Sequence, residues 1–253
     1  MKLDTKPSTL SSTSTSAVLT TLTKAVAGGF LSGVKIAIPI MLGYVPIGFA
    51  YGVLARQAGL SVIQATAMSL AVYAGSSQFI AVAMLTSGAG ATAIVSTTFL
   101  VNLRHLLFSA SMVPYFRRFS IPALAILSFG ITDETYAAGI GQYSREKPRF
   151  STVLGLHLAS YLSWVVASLV GASVSSLVGS ASDLGLDFAL PAMFIALLIS
   201  QLKNKTTILV AVLSGFISLG VSMLGWNTLN VIVATVISAT LGVFWNLWTK
   251  RHS

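Results

Sequence analysis

Apolar stretches long enough to cross a membrane recur along most of this 253-residue chain. Hydrophobic residues make up 55% of the sequence and charged residues only 8%, a composition typical of polytopic helical membrane proteins. A transmembrane barrel would instead show short segments of alternating hydrophobicity. No polar stretch after residue 30 is long enough to build a soluble domain. The sequence therefore predicts an all-α membrane protein, a compact bundle of seven or eight transmembrane helices.

The apolar pattern predicts eight spans joined by short loops. They cover residues 30–55, 61–85, 91–116, 121–143, 150–178, 188–202, 206–224 and 227–249. The segment 1–25 is Ser/Thr-rich and lacks the continuous apolar run of a signal peptide, so we expect a disordered cytoplasmic tail. The remaining residues, 26–253, are then expected to form a single transmembrane domain.

Most lysines and arginines lie at the ends of the predicted spans, as they do in the cytoplasmic loops of membrane proteins. The loops 145–149 and 203–205 and the pair Lys250-Arg251 are therefore predicted to be cytoplasmic, as are both termini. In an eight-span topology the pair Arg117-Arg118 falls on the external side, against this rule. Either one segment does not cross fully or the rule is violated locally, and 61–85 is the best candidate for a re-entrant segment.

Several classes of function find no support in the sequence. The net charge of +9 comes from scattered cations, not from a continuous basic stripe, so we expect no nucleic-acid partner. The chain has no cysteine and three histidines, which excludes disulfides and thiolate metal sites and leaves little to build a histidine site. Phosphate-binding loops and hydrolase motifs are absent from the sequence. We therefore predict no cofactor, no metal and no enzymatic activity.

The first predicted span has two prolines and several glycines near its middle. The relevant residues are Pro39, Gly43, Tyr44, Pro46 and Gly48. Because proline lacks an N–H group and clashes with the preceding turn, this helix is expected to kink or unwind near mid-membrane. Unwound backbone at that depth persists only where protein or a wet cavity satisfies its carbonyl groups. Gly43, Tyr44 and Pro46 are therefore candidate binding residues, with a kinked structural helix as the alternative.

Gly75, Ser76, Ser77 and Gln78 interrupt the second predicted span near its middle. A helix that restarts here would direct free N–H groups at a bound carboxylate. Small residues also allow tight helix packing, with the serine hydroxyls bonded to the preceding turn. The Gln78 amide needs several hydrogen-bond partners in an apolar environment, which favours a binding role for the four residues.

The third predicted span carries polar residues at the depth where the bilayer is driest. Thr98, Asn102, His105 and Ser109 follow helical spacing and are expected on one face, whereas Arg104 is expected nearly opposite Asn102. Such a helix must be enclosed by protein on both faces. Asn102 is therefore a candidate binding residue, and His105 is either part of the same pathway or a buried structural group.

Arg104 and the pair Asp133-Glu134 each lie about fourteen residues from the turn at 117–119, or roughly 21 Å along a helix. If the two segments form an antiparallel hairpin, opposite charges meet at the same depth. Pairing is expected because a charge at the bilayer centre costs roughly 2.5–3.5 kcal/mol. One arginine cannot neutralise two carboxylates, so the second acid is protonated, bound to a cation or hydrated. The sequence does not say which acid pairs with Arg104.

A short internal similarity links residues 36–42 to residues 188–194. Both stretches share alanine, proline and methionine at corresponding positions within apolar surroundings. Transporters are often built from two inverted repeats, so this similarity predicts such a repeat. Apolar segments also match by chance, which is the alternative.

Four motifs in order resemble the AzlC family of branched-chain amino acid permeases. They are Pro39–Gly48 followed by Tyr51-Gly52, then Ala74–Phe79, Thr97–His105 and Thr132–Glu134. The resemblance implies the large subunit of an exporter of branched-chain amino acids such as valine, acting with a small AzlD-type subunit in the prokaryotic cytoplasmic membrane.

The substrate and coupling residues do not follow from that resemblance; they are inferred from the chemistry above. The unpaired acid is a candidate either for a proton carrier, which would couple transport to protons, or for the group that binds an ammonium. Two alternatives remain open: a channel or facilitator for another small solute, and a structural subunit whose charges only fix a hairpin.

Overall fold

The computed structural model describes residues 12–178, 184–188, 191–192, 195–196, 198–199, 202, 204–225 and 230–252. Within these residues every regular element is helical. The chain divides into two compact units, Met1–Leu190 and Pro191–Ser253. The predicted sixth span, 188–202, and the second copy of the proposed repeat lie largely outside the described residues.

The first unit contains eight α-helices and a short 3-10 helix among its described residues. The α-helices are α1 (Ser12–Gln57), α2 (Val62–Ala71), α3 (Gly75–Thr86), α4 (Ala91–Asn102), α5 (Arg104–Phe116), α6 (Ile121–Phe129), α7 (Asp133–Tyr143) and α8 (Phe150–Val174), and the 3-10 helix is Leu186–Phe188. The described part of the second unit contains α9 (Lys205–Met223) packed against α10 (Asn230–His252).

Four helical stretches are long and apolar enough to cross a membrane. They are Val26–Gln57, Ala91–Phe116, Phe150–Val174 and Lys205–Met223. This confirms the prediction of an α-helical membrane protein and four of its predicted spans. The third span consists of two helices, α4 and α5, which Leu103 separates although its own backbone angles are helical.

The first helix remains helical through both of its prolines. We predicted that this helix would kink or unwind near mid-membrane. α1 extends from Ser12 to Gln57 with Pro39 and Pro46 inside it, so the unwound alternative is wrong. Neighbouring side chains and small backbone adjustments make proline tolerable within membrane helices. The helix also takes in residues 12–25 of the predicted tail.

α1 and α8 form the most extensive helix pair of the unit and run in the same direction. A Cβ atom built at Gly155 would lie 2.2 Å from the Phe30 carbonyl oxygen, and one at Gly171 would lie 2.1 Å from the Phe49 carbonyl oxygen. Glycine is therefore required at both positions for the backbones to approach this closely. We call the end of the unit near Phe30 the first face and the end near Gln57 the second face.

α2 and α3 form a re-entrant hairpin, the first hairpin, which starts and ends at the second face. The Gln78 amide in α3 donates a hydrogen bond to the Ser69 hydroxyl in α2 at 2.9 Å. Tyr51 in α1 touches both arms: its hydroxyl donates to the Ala65 carbonyl, and its ring centroid lies 5.8 Å from that of Phe79. The chain therefore reverses around Tyr73, as the sequence suggested for 61–85.

α6 and α7 form a second hairpin that enters from the first face. Phe108 in α5 stacks on Tyr136 in α7 at 4.6 Å, and Tyr115 lies 6.3 Å from Tyr143. In these two contacting pairs the higher-numbered residue of α5 lies beside the higher-numbered residue of α7, so α7 runs parallel to α5. The predicted pair of complete antiparallel spans, 91–116 and 121–143, is therefore wrong, because an antiparallel helix would bring Tyr136 beside α4.

The two hairpins give the unit an inverted arrangement. α1 is followed by the first hairpin, and α4–α5 is followed by the second hairpin. The second set repeats the order of the first but runs in the opposite direction across the unit, as in inverted-topology repeats. The second and fourth predicted spans are therefore re-entrant, not complete. The loops 117–120 and 144–149 consequently share the first face, which removes the conflict raised by Arg117-Arg118.

Accessibility of introduced cysteines tests this topology, because the chain has none of its own. In single-cysteine variants of the exposed Ser87, Ser120 and Ser144, an impermeant maleimide should label positions 120 and 144 from one side of the membrane and position 87 from the other. Complete crossing by all segments would instead place 87 with 144 and put 120 opposite. Position 144 lies on the same side in both topologies and serves as the reference.

Candidate functional site

A partly buried ion pair between α5 and the second hairpin lies where the tips of the two hairpins meet. Arg104 Nη2 lies 2.9 Å from Asp133 Oδ2, and the same nitrogen donates to the Ser76 hydroxyl. The arginine and aspartate side chains are 24% and 11% exposed. The predicted meeting of opposite charges is therefore confirmed, and Asp133 is the acid that pairs. Because Ser76 belongs to the first hairpin and Asp133 to the second, Arg104 connects both.

Glu134 is held by a hydroxyl group and not by the arginine. The Tyr44 hydroxyl, on α1, donates to Glu134 Oε2 at 2.7 Å and lies 2.9 Å from the Thr132 hydroxyl. Tyr44 is 5% exposed, and Glu134 is half-buried. The site thus holds two carboxylates against one guanidinium, and Arg104 does not neutralise Glu134.

The start of α7 is fixed by a reciprocal cap. The Thr132 hydroxyl accepts a hydrogen bond from the Thr135 backbone N–H, and the Thr135 hydroxyl accepts one from the Thr132 N–H. Two acids in the following turn suit the positive end of the helix dipole. Our sequence reasoning missed both threonines, although a hydroxyl residue followed three positions later by a second acceptor signals such a cap.

The first turn of α3 faces α4 and α5. The Ser77 hydroxyl donates to the Asn102 side-chain oxygen at 2.6 Å, and Ser76 bonds Arg104. Ala74 provides no side-chain cap, so the first N–H groups of α3 have no acceptor within their own helix. A helix does restart at Gly75, as predicted.

The predicted division of the third span into two polar faces is wrong. Asn102 and Arg104 both reach the first turn of α3. The α4–α5 path is interrupted at Leu103, so the angular spacing of one regular helix does not apply across it. His105 Nδ1 lies 3.0 Å from the Asn102 carbonyl oxygen, and the Thr98 hydroxyl bonds back to its own helix.

Gln78 bridges the first hairpin to α8. Its amide nitrogen donates to Ser69, and its oxygen accepts a hydrogen bond from the Trp164 indole at 3.0 Å. Gln78 is fully buried, which places it behind the site as a support for the first hairpin. Gly75 lets the indole approach, because a Cβ atom there would lie 2.8 Å from Trp164 Cη2.

Aromatic rings surround the charged groups. Trp164 lies 5.3 Å from Tyr44, and Tyr73 lies 6.1 Å from Phe129 and 4.9 Å from Tyr161, measured between ring centroids. Sequence reasoning did not assign Tyr73 or Phe129 to the site. Each sits at a hairpin tip, and no regular spacing distinguishes them from packing aromatics.

Two predicted binding residues on α1 lie apart from this cluster. Pro46 is exposed, and two residues along a helix separate it from Tyr44 by more than half a turn. A Cβ atom built at Gly43 would meet nothing within 4 Å, so the packed site does not extend to it. The structure therefore brings together Tyr44, Ser76, Ser77, Asn102, Arg104, Asp133 and Glu134, with His105 beside Asn102.

The residues of this cluster lie within a range that matches a known protein family. The AzlC protein family matches the chain over residues 39–178. The chain belongs to the AzlC family. It is 32% identical to the inner membrane protein YgaZ of Escherichia coli, over 85% of this chain and 91% of that protein. It is 30% identical to the branched-chain amino acid transport protein AzlC of Bacillus subtilis, over 70% of this chain and 69% of that protein.

The chain is also similar to a protein of Archaeoglobus fulgidus. An uncharacterized membrane protein of Archaeoglobus fulgidus is 34% identical over 84% of this chain and 93% of its own length. No solved structure matches the chain. The matched residues, 39–178, contain both hairpins and every residue of the cluster from Tyr44 to Trp164.

Neutralising one partner of the central ion pair should cost this AzlC protein more than neutralising both. Arg104→Gln or Asp133→Asn should each destabilise the fold by roughly 1–3 kcal/mol, since each leaves a partly buried charge unpaired. The double variant should recover part of that loss. Unfolding temperatures in detergent measure the effect, with the exposed Arg117→Gln as a control. Strictly additive losses would mean that the two side chains do not interact.

Proposed function

We propose that this protein is a secondary transporter that exports branched-chain amino acids, such as valine, across the prokaryotic cytoplasmic membrane. The observation that carries the proposal is the meeting of two oppositely inserted hairpin tips around Arg104, Asp133 and Glu134. Helices interrupted near mid-membrane, with their half-helix ends at the substrate, are typical of secondary transporters. The printed name of the Bacillus relative supports the choice of substrate.

The first turn of α3 provides donors for the carboxylate of an amino acid. Its free N–H groups and helix dipole favour an anion, and Ser76 and Ser77 add hydroxyl groups. Arg104 Nε is buried and has no hydrogen-bond partner among the described residues. The arginine can therefore bind a second anion while keeping its bond to Asp133.

The opposite side of the cluster suits an ammonium group. Glu134 provides a carboxylate acceptor, and the Tyr44 ring adjoins it. Trp164 and Tyr44 provide apolar ring surface for an aliphatic side chain. Donors for a carboxylate, an acceptor for an ammonium and an apolar wall are the three features that a branched-chain amino acid requires.

We also propose that the first face is cytoplasmic. The loops at that face carry Arg117, Arg118, Arg145, Lys147 and Arg149. At the second face the loops 58–61 and 87–90 carry no lysine or arginine, and the adjoining last turn of α1 carries one, Arg56. The positive-inside rule then places the N-terminus in the cytoplasm. The predicted cytoplasmic C-terminus and the small AzlD-type subunit remain part of the proposal, the latter on the strength of family membership.

Counterflow in proteoliposomes tests the proposed activity. The purified chain, alone and with the small hydrophobic subunit, should accumulate labelled valine when the vesicles contain unlabelled valine. A channel, which re-entrant half-helices also suit, would pass solute without this stimulation. A purely structural subunit would show neither behaviour.

Glu134 is the residue that should couple transport to protons. Glu134→Gln keeps the shape of the side chain and its ability to accept from Tyr44 but cannot exchange a proton. We expect valine counterflow to weaken in this variant, because a neutral amide binds the ammonium group less strongly than a carboxylate does, and acceleration by an imposed pH gradient to disappear. Measuring counterflow and gradient-driven uptake on the same vesicles separates the exchange of valine from its coupling to protons. A parent protein that is indifferent to the gradient would remove the proton role from the proposal.

A further inference from the structure

Tyr73, at the tip of the first hairpin, has a backbone conformation that disfavours its own side chain. Its φ angle is +43°, and among the described residues it is the one non-glycine residue with positive φ. It follows the C-terminal residue of α2, where helices commonly place glycine in this conformation. A bulky residue in this conformation is strained, and such strain clusters at functional sites.

The ring of Tyr73 lies between the two hairpins. It contacts Phe129 at the tip of the second hairpin, Tyr161 on α8 and Tyr44 on α1, with 6.5 Å between the Tyr73 and Tyr44 centroids. The residue is 4% exposed. Tyr73 therefore packs beside the tyrosine that bonds Glu134.

The hydroxyl group of Tyr73 is buried and finds no hydrogen-bond partner among the described residues. Its two neighbouring tyrosines are bonded, since Tyr44 donates to Glu134 and Tyr161 donates to the Leu70 carbonyl. Buried polar groups almost always have a partner, so an unpaired hydroxyl inside a proposed binding site indicates a missing ligand.

We propose that Tyr73 is a substrate-contacting residue that recognises the ammonium group of the amino acid. Its hydroxyl oxygen accepts a hydrogen bond from the ammonium that Glu134 binds, and its ring covers that group between the hairpin tips. This inference rests on the proposed transport of amino acids. It adds the residue that distinguishes an amino acid from a carboxylate of the same shape without an amine.

A buried hydroxyl that stays unpaired when a ligand binds costs binding free energy. An amino acid supplies a charged donor to Tyr73, whereas isovalerate, which has the carbon skeleton of valine without the amine, supplies none. Sites that bond a polar substrate group reject analogues that lack it far better than apolar pockets reject an extra methylene. The Tyr73 hydroxyl should therefore contribute to valine binding and not to isovalerate binding.

Tyr73→Phe tests the role of the hydroxyl in proteoliposomes. We expect the KM for valine to rise about tenfold, as for loss of a hydrogen bond to a charged group, with the maximal rate within about twofold of the parent. The inhibition constant of isovalerate should stay unchanged. Tyr143→Phe is the matched control, because it removes another buried, unpartnered hydroxyl at the far end of α7. It should leave both constants unchanged.

Tyr73→Gly provides a second variant that the backbone favours. Glycine adopts positive φ without strain, so the hairpin should form while the ring and hydroxyl are both lost. We expect this variant to elute as the parent does in size-exclusion chromatography and to lose preference for valine over isovalerate. Parental preference in a folded Tyr73→Gly protein would overturn the inference.

The outcomes separate this inference from the proposed function. Normal valine counterflow in the parent, with a KM in Tyr73→Phe within twofold of it, would overturn the role of Tyr73 alone. Equal changes in the valine and isovalerate constants would do the same, because they would indicate a general packing defect. Absence of valine counterflow in the parent would overturn the proposed function and this inference together.

Discussion

The guanidinium of Arg104 is the group on which the arrangement of the first unit depends. A charge at this depth is tolerated only when it is paired, and its partners come from two segments that enter from opposite faces. Through Ser76 it fixes the tip of the first hairpin, and through Asp133 it fixes the tip of the second. Neither tip could remain at half-depth without such a partner, because each exposes backbone groups that lipid cannot satisfy.

The need to satisfy backbone groups also explains why many hydroxyl residues lie in one layer, at the depth where the two hairpin tips meet. Three helices begin there, at Gly75, Arg104 and Asp133, and each beginning leaves N–H groups without an acceptor in its own helix. Thr132 and Thr135 satisfy some of them, whereas α3 has no side-chain cap. The N-terminus of α3, which has no side-chain cap, lies beside Arg104. The electrostatic potential is therefore positive on this side of the layer, and Asp133 and Glu134 lie on the other side.

The sequence predicted which residues would meet more accurately than it predicted the path of the chain between them. The contact of Arg104 with an acid followed from charge and depth alone. The second hairpin could not be predicted in this way, because two short apolar helices that turn back inside the membrane have the same hydropathy as one complete span. The loop cations at 117–118 indicated the error, since they conflicted with the eight-span topology. Gly43 and Pro46 were over-interpreted because a helix-disturbing residue in a membrane does not by itself mark a binding site.

The two hairpins are anchored by chemically different bonds. Apart from the bond between Arg104 and Ser76, neutral contacts hold the first to its neighbours: Gln78 to the Trp164 indole, Tyr161 to the Leu70 carbonyl and Tyr51 to the Ala65 carbonyl. Both acids at the tip of the second are held by groups that a zwitterion could replace. If an amino acid binds as proposed, it would compete with the contacts that hold the second hairpin and leave those of the first hairpin in place. Movement should therefore begin at the second hairpin and open the site toward the first face, where the arginines lie.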